Sequence, residues 1–177
     1  MIPIIGVYFA QMIKTLESED TQHLHAAEGW LELGNHIEAN EELEKISPQF
    51  RTHPDVLEQR WLIYALEAKW KVCLDIATTI VQLAPERARG WIDRSFALQE
   101  LKRPQEAFNL LLPAADMFPK NWTIPYNLAC YEIKLGNLTT AWQWLERAFK
   151  VGDAREIKLM ALDDPDLEKI WTAIGKV

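Results

Sequence analysis

Glycine is scarce, with 7 in 177 residues, and no window pairs alternating apolar residues with an Asn-Gly or Asp-Gly turn, so an all-β fold has little support. Cysteine is scarcer still. Cys73 and Cys130 stand outside any CxxC or Cys/His spacing, which argues against a disulfide scaffold or a zinc site and suggests a reducing, cytoplasmic setting. Basic residues are too few to attract a polyanion: 19 against 26 acids leave a net charge of −7, so no nucleic-acid partner is expected. No long hydrophobic run exists. The longest uncharged stretch, Met1 to Ile13, is short of the roughly 18 apolar residues a membrane span needs, and Lys14 follows it where a secretory leader would place basic residues first. A membrane is therefore not expected as a partner either.

What is present is ordinary globular material, 49% hydrophobic and 25% charged, in a length suited to one domain. Helices are favoured. The acidic excess is local: residues 1–53 carry 9 acids against 3 bases, whereas 54–121 carry 9 against 9 and 122–177 carry 8 against 7.

Self-similarity organises the chain. Small residues recur at Ala39, Cys73, Ala107 and Ala141, each 34 residues after the last. Four residues further on stand Leu43, Ala77, Leu111 and Leu145, and three beyond those Ile46, Ile80, Ala114 and Ala148. Offsets of four and three mark one face of a helix, and a fixed period of this length marks stacked repeats. The spacing predicts units at 20–53, 54–87, 88–121 and 122–155, without insertion or deletion. Each unit reads as two helices. Leu24, Ala27, Trp30, Leu31 and Leu33 form a stripe that stops at Gly34-Asn35 before a second stripe starts at Ile37; Gly136-Asn137 does the same before Leu138. Pro104 occupies that turn in the third unit, and Pro85 and Pro119 end second helices.

The pattern resembles the tetratricopeptide repeat (TPR) family. Trp91, Ser95, Leu98, Ala107, Leu111, Ala114 and Pro119 stand at that family's signature positions, as do Ala129, Gly136, Ala141, Leu145 and Ala148 in the next unit. The resemblance covers residues 20 to about 152. It implies an all-α fold, a right-handed α-solenoid of antiparallel helix pairs, with capping helices at both ends over 1–19 and 156–177. At the first end, Ile5, Phe9, Met12, Ile13 and Leu16 have helical spacing; a dimer contact or a membrane-surface helix is the alternative use of that segment, the latter with only Lys14 to attract anionic lipid. At the other, Asp164-Pro165 starts a helix leading into Leu167, Ile170, Trp171 and Ile174. Departures from the family pattern are Trp61 at a small-residue position, Ala68-Lys69-Trp70 in place of a glycine turn, and Pro113 inside a second helix, where a kink is expected. Arg60, Arg94 and Glu132 replace apolar residues. Burying a lone charge costs several kcal/mol, so Arg94 and Glu132, in adjacent units, are expected to pair.

Catalysis finds no support. GxxxxGK[ST], GxGxxG, HExxH and GxSxG are all missing. His23 and His25 diverge by about 200° on a helix and cannot share a metal, and His36 and His53 read as surface residues. Cys130 has no histidine in its own unit. Neither an enzyme, nor a cofactor, nor a metal is expected, and pairs such as Glu41-Glu42 and Asp163-Asp164 read as solvated charges.

The TPR resemblance implies a concave face made by the first helices. There it places Leu24, Glu28 and Glu32; Glu58 and Leu62; Arg89, Ile92 and Phe96; and Tyr126, Asn127 and Cys130. The middle of this groove is apolar and its first end acidic. The expected ligand is a protein or peptide segment with apolar anchors and a basic flank. Alternatives are a chaperone for secreted client proteins and a structural homo-oligomer built through Met1 to Leu16.

Overall fold

Four backbone positions carry the architecture. Gly34, Ala68, Lys102 and Gly136 all adopt the left-handed conformation, with φ of 76°, 53°, 61° and 87°, and they lie 34 residues apart. At each, the N–H of the left-handed residue bonds the carbonyl three residues back, Leu31, Ala65, Gln99 and Ile133, at 2.9–3.1 Å. The next N–H reaches five residues back, to Trp30, Tyr64, Leu98 and Glu132, at 2.8–2.9 Å. This is a Schellman motif made four times, and it satisfies carbonyls that the ending helix would otherwise leave bare. Ala68 thus makes the turn that the missing glycine had put in question, and in the third pair Lys102 makes it, two residues before Pro104.

The computed structural model describes residues 15–176. On either side of these turns lie helices α1 (Ser18–Glu32) and α2 (His36–Lys45), α3 (Pro54–Leu66) and α4 (Trp70–Leu83), α5 (Ala88–Glu100) and α6 (Pro104–Leu111), and α8 (Thr123–Leu135) and α9 (Leu138–Val151). A short α7 (Ala114–Met117) follows α6. The chain ends with α10 (Ala154–Asp163), a 3-10 helix (Pro165–Ile170) and α11 (Trp171–Ile174). Proline opens α3 and α6, where a missing N–H costs nothing. Asn35 and Asp153 cap α2 and α10 with side-chain oxygens that accept backbone N–H groups. Most of the expected N-terminal capping helix falls on residues 1–14, outside the described residues; Leu16 packs against the core shared by α1 and α2.

Packing explains the period. Ala39, Cys73, Ala107 and Ala141 are fully buried, and so are the residues four and seven positions after each. A methyl or thiol at the first position lets the second helix of each pair lie close to its partner. Pro113 ends α6, since it has no N–H to donate and its ring would meet the carbonyl of residue 109. The helix resumes as α7, and Ala114 keeps its buried place.

The charges on the apolar stripes resolve separately. Arg60 donates to Glu44 of α2 at 2.8 Å, and this pairing holds the Glu44 carboxyl below its ordinary range. Among the described residues no ion pair joins Arg94 to Glu132, contrary to expectation. Arg94 donates at 3.1 Å to the Leu110 carbonyl, next to the break at Pro113, and stands over the Trp91 ring at 5.0 Å; Glu132 accepts from Asn137 at 2.6 Å. Each charge found a nearer partner.

A non-glycine residue in the left-handed region costs about 1–2 kcal/mol. Lys102→Gly, at an exposed position, is therefore expected to raise stability by about 1 kcal/mol, and Gly136→Ala to lower it by a similar amount. Urea titration of the two variants reads both signs; a neutral or destabilising Lys102→Gly would contradict the assigned backbone.

Candidate functional site

The first helix of each pair presents residues four apart on one face. On α3 these are Glu58, Leu62 and Leu66; on α5, Ile92, Phe96 and Glu100; on α8, Tyr126, Cys130 and Lys134. The α3 face is apolar and open. Leu62, Ala65 and Leu66 join Leu31 of α1 in lining a hollow, with Leu66 63% exposed. Phe96, 38% exposed, continues this surface onto α5. It meets Trp61 at 6.2 Å and Trp70 at 5.8 Å, both edge-on, and such pairing holds an exposed ring in one place. Sequence reasoning did not assign Trp70 to the site.

Carboxylates stand near the hollow's leucines along α1 and α3. Glu28 accepts from Gln59 at 3.2 Å, Glu58 stands 3.4 Å from the Arg87 guanidinium, which also grips Asp55, and Glu32 is exposed. Arg89 turns to Asp93, its Nε donating to both carboxylate oxygens at 3.0 and 2.8 Å. Leu24 belongs to the core between α1 and α2 rather than to this surface. Ile92 is half-buried against the core around α8, and Asn127 is half-buried.

The α8 face is covered by the chain's own tail. Tyr126 donates its hydroxyl to Asp164 Oδ2 at 2.7 Å, and the Cys130 thiol points to the same oxygen at 3.8 Å. Two residues on, Asp166 Oδ2 accepts from Gln99 Nε2 of α5 at 2.8 Å and from Lys134 Nζ at 2.9 Å. Leu167, Ile170 and Ile174 are buried beneath. Asp164 also caps the 3-10 helix by accepting the Asp166 N–H at 2.9 Å, and Trp171 ties the segment down by donating to the carbonyls of Ala161 and Asp164. Burial, reinforced by the tail's carboxylates, pushes the Tyr126 hydroxyl and the Cys130 thiol well up. Tyr126 and Cys130, expected as open groove residues, thus face an occupant, and Asp164, expected to be solvated, is part of it.

Among the described residues no three His, Cys, Asp or Glu side chains gather as metal ligands, and no helix is long and apolar enough to cross a membrane. No protein-family model and no curated protein matches the chain. Solved structures do. A protein titled TTC0263, a thermophilic TPR protein of Thermus thermophilus, superimposes with a TM-score of 0.71 at 17% identity over 88% of this chain and 83% of that one. The chain has the TPR fold. It is all-α, a right-handed solenoid of antiparallel helix pairs closed at its C-terminal end by further helices. MamA matches with a TM-score of 0.68 at 11% identity over 77% of this chain and 80% of its own. Cut9, in a structure titled as an APC/C hetero-tetramer of Cut9 and Hcn1, matches with 0.69 at 14% identity over 88% of this chain and 30% of that one.

One titration is built into the TPR groove wall. Asp93 is 4% exposed, and burial raises its carboxyl to about 6 from 3.8 against the opposing pull of Arg89, with Glu58 adding to the rise. A group with a raised folded-state pKa binds a proton more readily when folded, so its contribution is present below pH 3.8 and lost as pH climbs through about 6. Asp93→Asn removes this dependence. The stability of wild type minus that of the variant should fall between pH 4 and 7, by up to about 3 kcal/mol. Urea unfolding at stepped pH measures it; a difference that stays level or rises would overturn the assignment.

Proposed function

We propose that the chain is a non-catalytic protein-interaction scaffold, made of four TPR-like units at 20–53, 54–87, 88–121 and 122–155, in a reducing, cytoplasmic setting. Its ligand is a protein segment bearing apolar anchors and a basic flank, laid over α1, α3 and α5. The observation that carries this reading is the open apolar hollow of half-buried Leu31 and Leu62 with exposed Leu66, continued by exposed Phe96, with Glu28 and Glu58 one turn before Leu31 and Leu62 on the same helices and Glu32 exposed next to Leu31. Exposed apolar area of this kind is costly to leave wet, and aromatic anchors dominate binding energy where a partner covers them fully. The surrounding carboxylates select the sign of the partner's charge. Burial and the neighbouring carboxylates keep the Cys130 thiol protonated, and burial takes the Cys73 thiol to about 11, which supports binding rather than nucleophilic chemistry. The likeness to TTC0263, MamA and Cut9 supports the scaffold and says nothing of the ligand.

The test uses two labelled synthetic helices of equal length, one of Leu and Lys, the other of Leu and Glu. The basic peptide should bind at least tenfold more tightly, and more weakly at high salt. Leu66→Ser with Phe96→Ser should lower its affinity by more than tenfold with the helical content unchanged. Equal binding of both peptides, or no effect of the double substitution, would refute the reading.

A further inference from the structure

The α8 end of the groove carries the opposite chemistry from the α3 end, and its occupant is already in place. Tyr126, Cys130 and Lys134 form a ladder of donors at every fourth residue of one helix face, and Gln99 reaches across from α5. At the corresponding places on α3, 68 residues earlier, stand Glu58, Leu62 and Leu66, which offer no donor. Into the α8 ladder the tail sends two carboxylates two residues apart, each taking two donors, followed by a leucine that is 0% exposed. The last apolar faces are covered by Leu167, Ile170 and Ile174 together with Ile157 and Ala161 of α10, none of which needs a polar bond. The four polar bonds go beyond a cap, and they belong to side chains that the TPR architecture turns toward its concave surface. Pro165 stiffens the segment between the two carboxylates and so lowers the entropy lost on docking.

We propose that the face formed by α5 and α8 is a recognition site for an acidic Asp-x-Asp-Leu segment of a partner protein, and that residues 164–170 of this chain are its built-in competitor. The partner gains access when the tail leaves. This site does not depend on the reading given for the α3 side, because its ligand has the opposite charge and a different set of contacts. Charge-assisted bonds from cationic Lys134 and from neutral Gln99 and Tyr126 fix the spacing of the two carboxylates, and the burial of Leu167 fixes their register.

The full-length Leu167→Ser variant weakens the tail's own hold while leaving every donor intact. The probe is a fluorescein-labelled peptide with the sequence of residues 163–176. It should bind the variant at least tenfold more tightly than wild type, and adding Gln99→Ala and Lys134→Glu should cancel that gain. A peptide with the two aspartates replaced by asparagine should not bind either protein. If Leu167→Ser loses helical content, the peptide should restore it. A folded variant with no gain in affinity, or an unfolded one that the peptide leaves unfolded, would overturn the proposal. So would a wild-type dimer in sedimentation that disappears in Leu167→Ser, since that would assign the site to the tail of a second copy.

Discussion

The constraint on which the rest depends is the close approach of two helices at a small buried residue. At Ala39, Cys73, Ala107 and Ala141 the second helix of each pair meets its neighbours through a side chain of one heavy atom or two. Interiors pack near crystal density, so a larger group there would force the pair apart by costs of about 1–3 kcal/mol. Because each pair is joined by a turn of the same left-handed geometry, the distance and angle set at that residue recur along the chain. The groove follows: first helices brought side by side at one interval must line up their fourth-residue ladders, whatever side chains those ladders carry.

That separation of framework from surface explains how one groove holds two chemistries. The framework residues are small or aliphatic and fully buried. The ladder residues vary freely, from Glu58, Leu62 and Leu66 to Tyr126, Cys130 and Lys134. Where the ladder is apolar, it stays open, with Leu66 exposed and Leu62 half-buried. Where it donates, the chain supplies carboxylates of its own. There Asp164 and Asp166 meet the donors of α8 and α5, while Leu167 and its neighbours lie buried beneath them.

The period, the helix pairs, a disturbance of the helix at Pro113 and the identity of the buried face were all legible in the order of residues, because each rests on local rules of spacing or backbone chemistry. Two kinds of feature were not. The first is competition between partners. Arg94 and Glu132 looked like complementary charges in neighbouring units, but the helix break offered Arg94 a carbonyl at 3.1 Å and Trp91 offered it a ring, while Asn137 lay within reach of Glu132. A charge takes the nearest adequate partner, and spacing alone does not rank candidates across helices. The second is contact at long separation. Asp166 meets Gln99 across 67 residues, and Asp164 meets Tyr126 across 38. Asp164-Pro165 was readable as a helix start, and it is one; that the same carboxylate also enters the groove depends on where α10 delivers it.

The placement of α10 also bears on the charge balance. Residues 1–53 hold most of the net negative charge of the chain, so the α1 side carries an acidic field. At the α8 side, the tail's Asp164 and Asp166 add two charges next to a single Lys134, which makes the covered end acidic as well. With the tail away, that end would present Lys134 and three neutral donors. Position of the tail therefore decides whether the groove is acidic along its whole length or changes sign between α3 and α8, and like charges would repel a basic segment at the far end only in the second state. On the proposal made for residues 164–170, one short segment, docked or released, would alter which partners the same concave surface could hold.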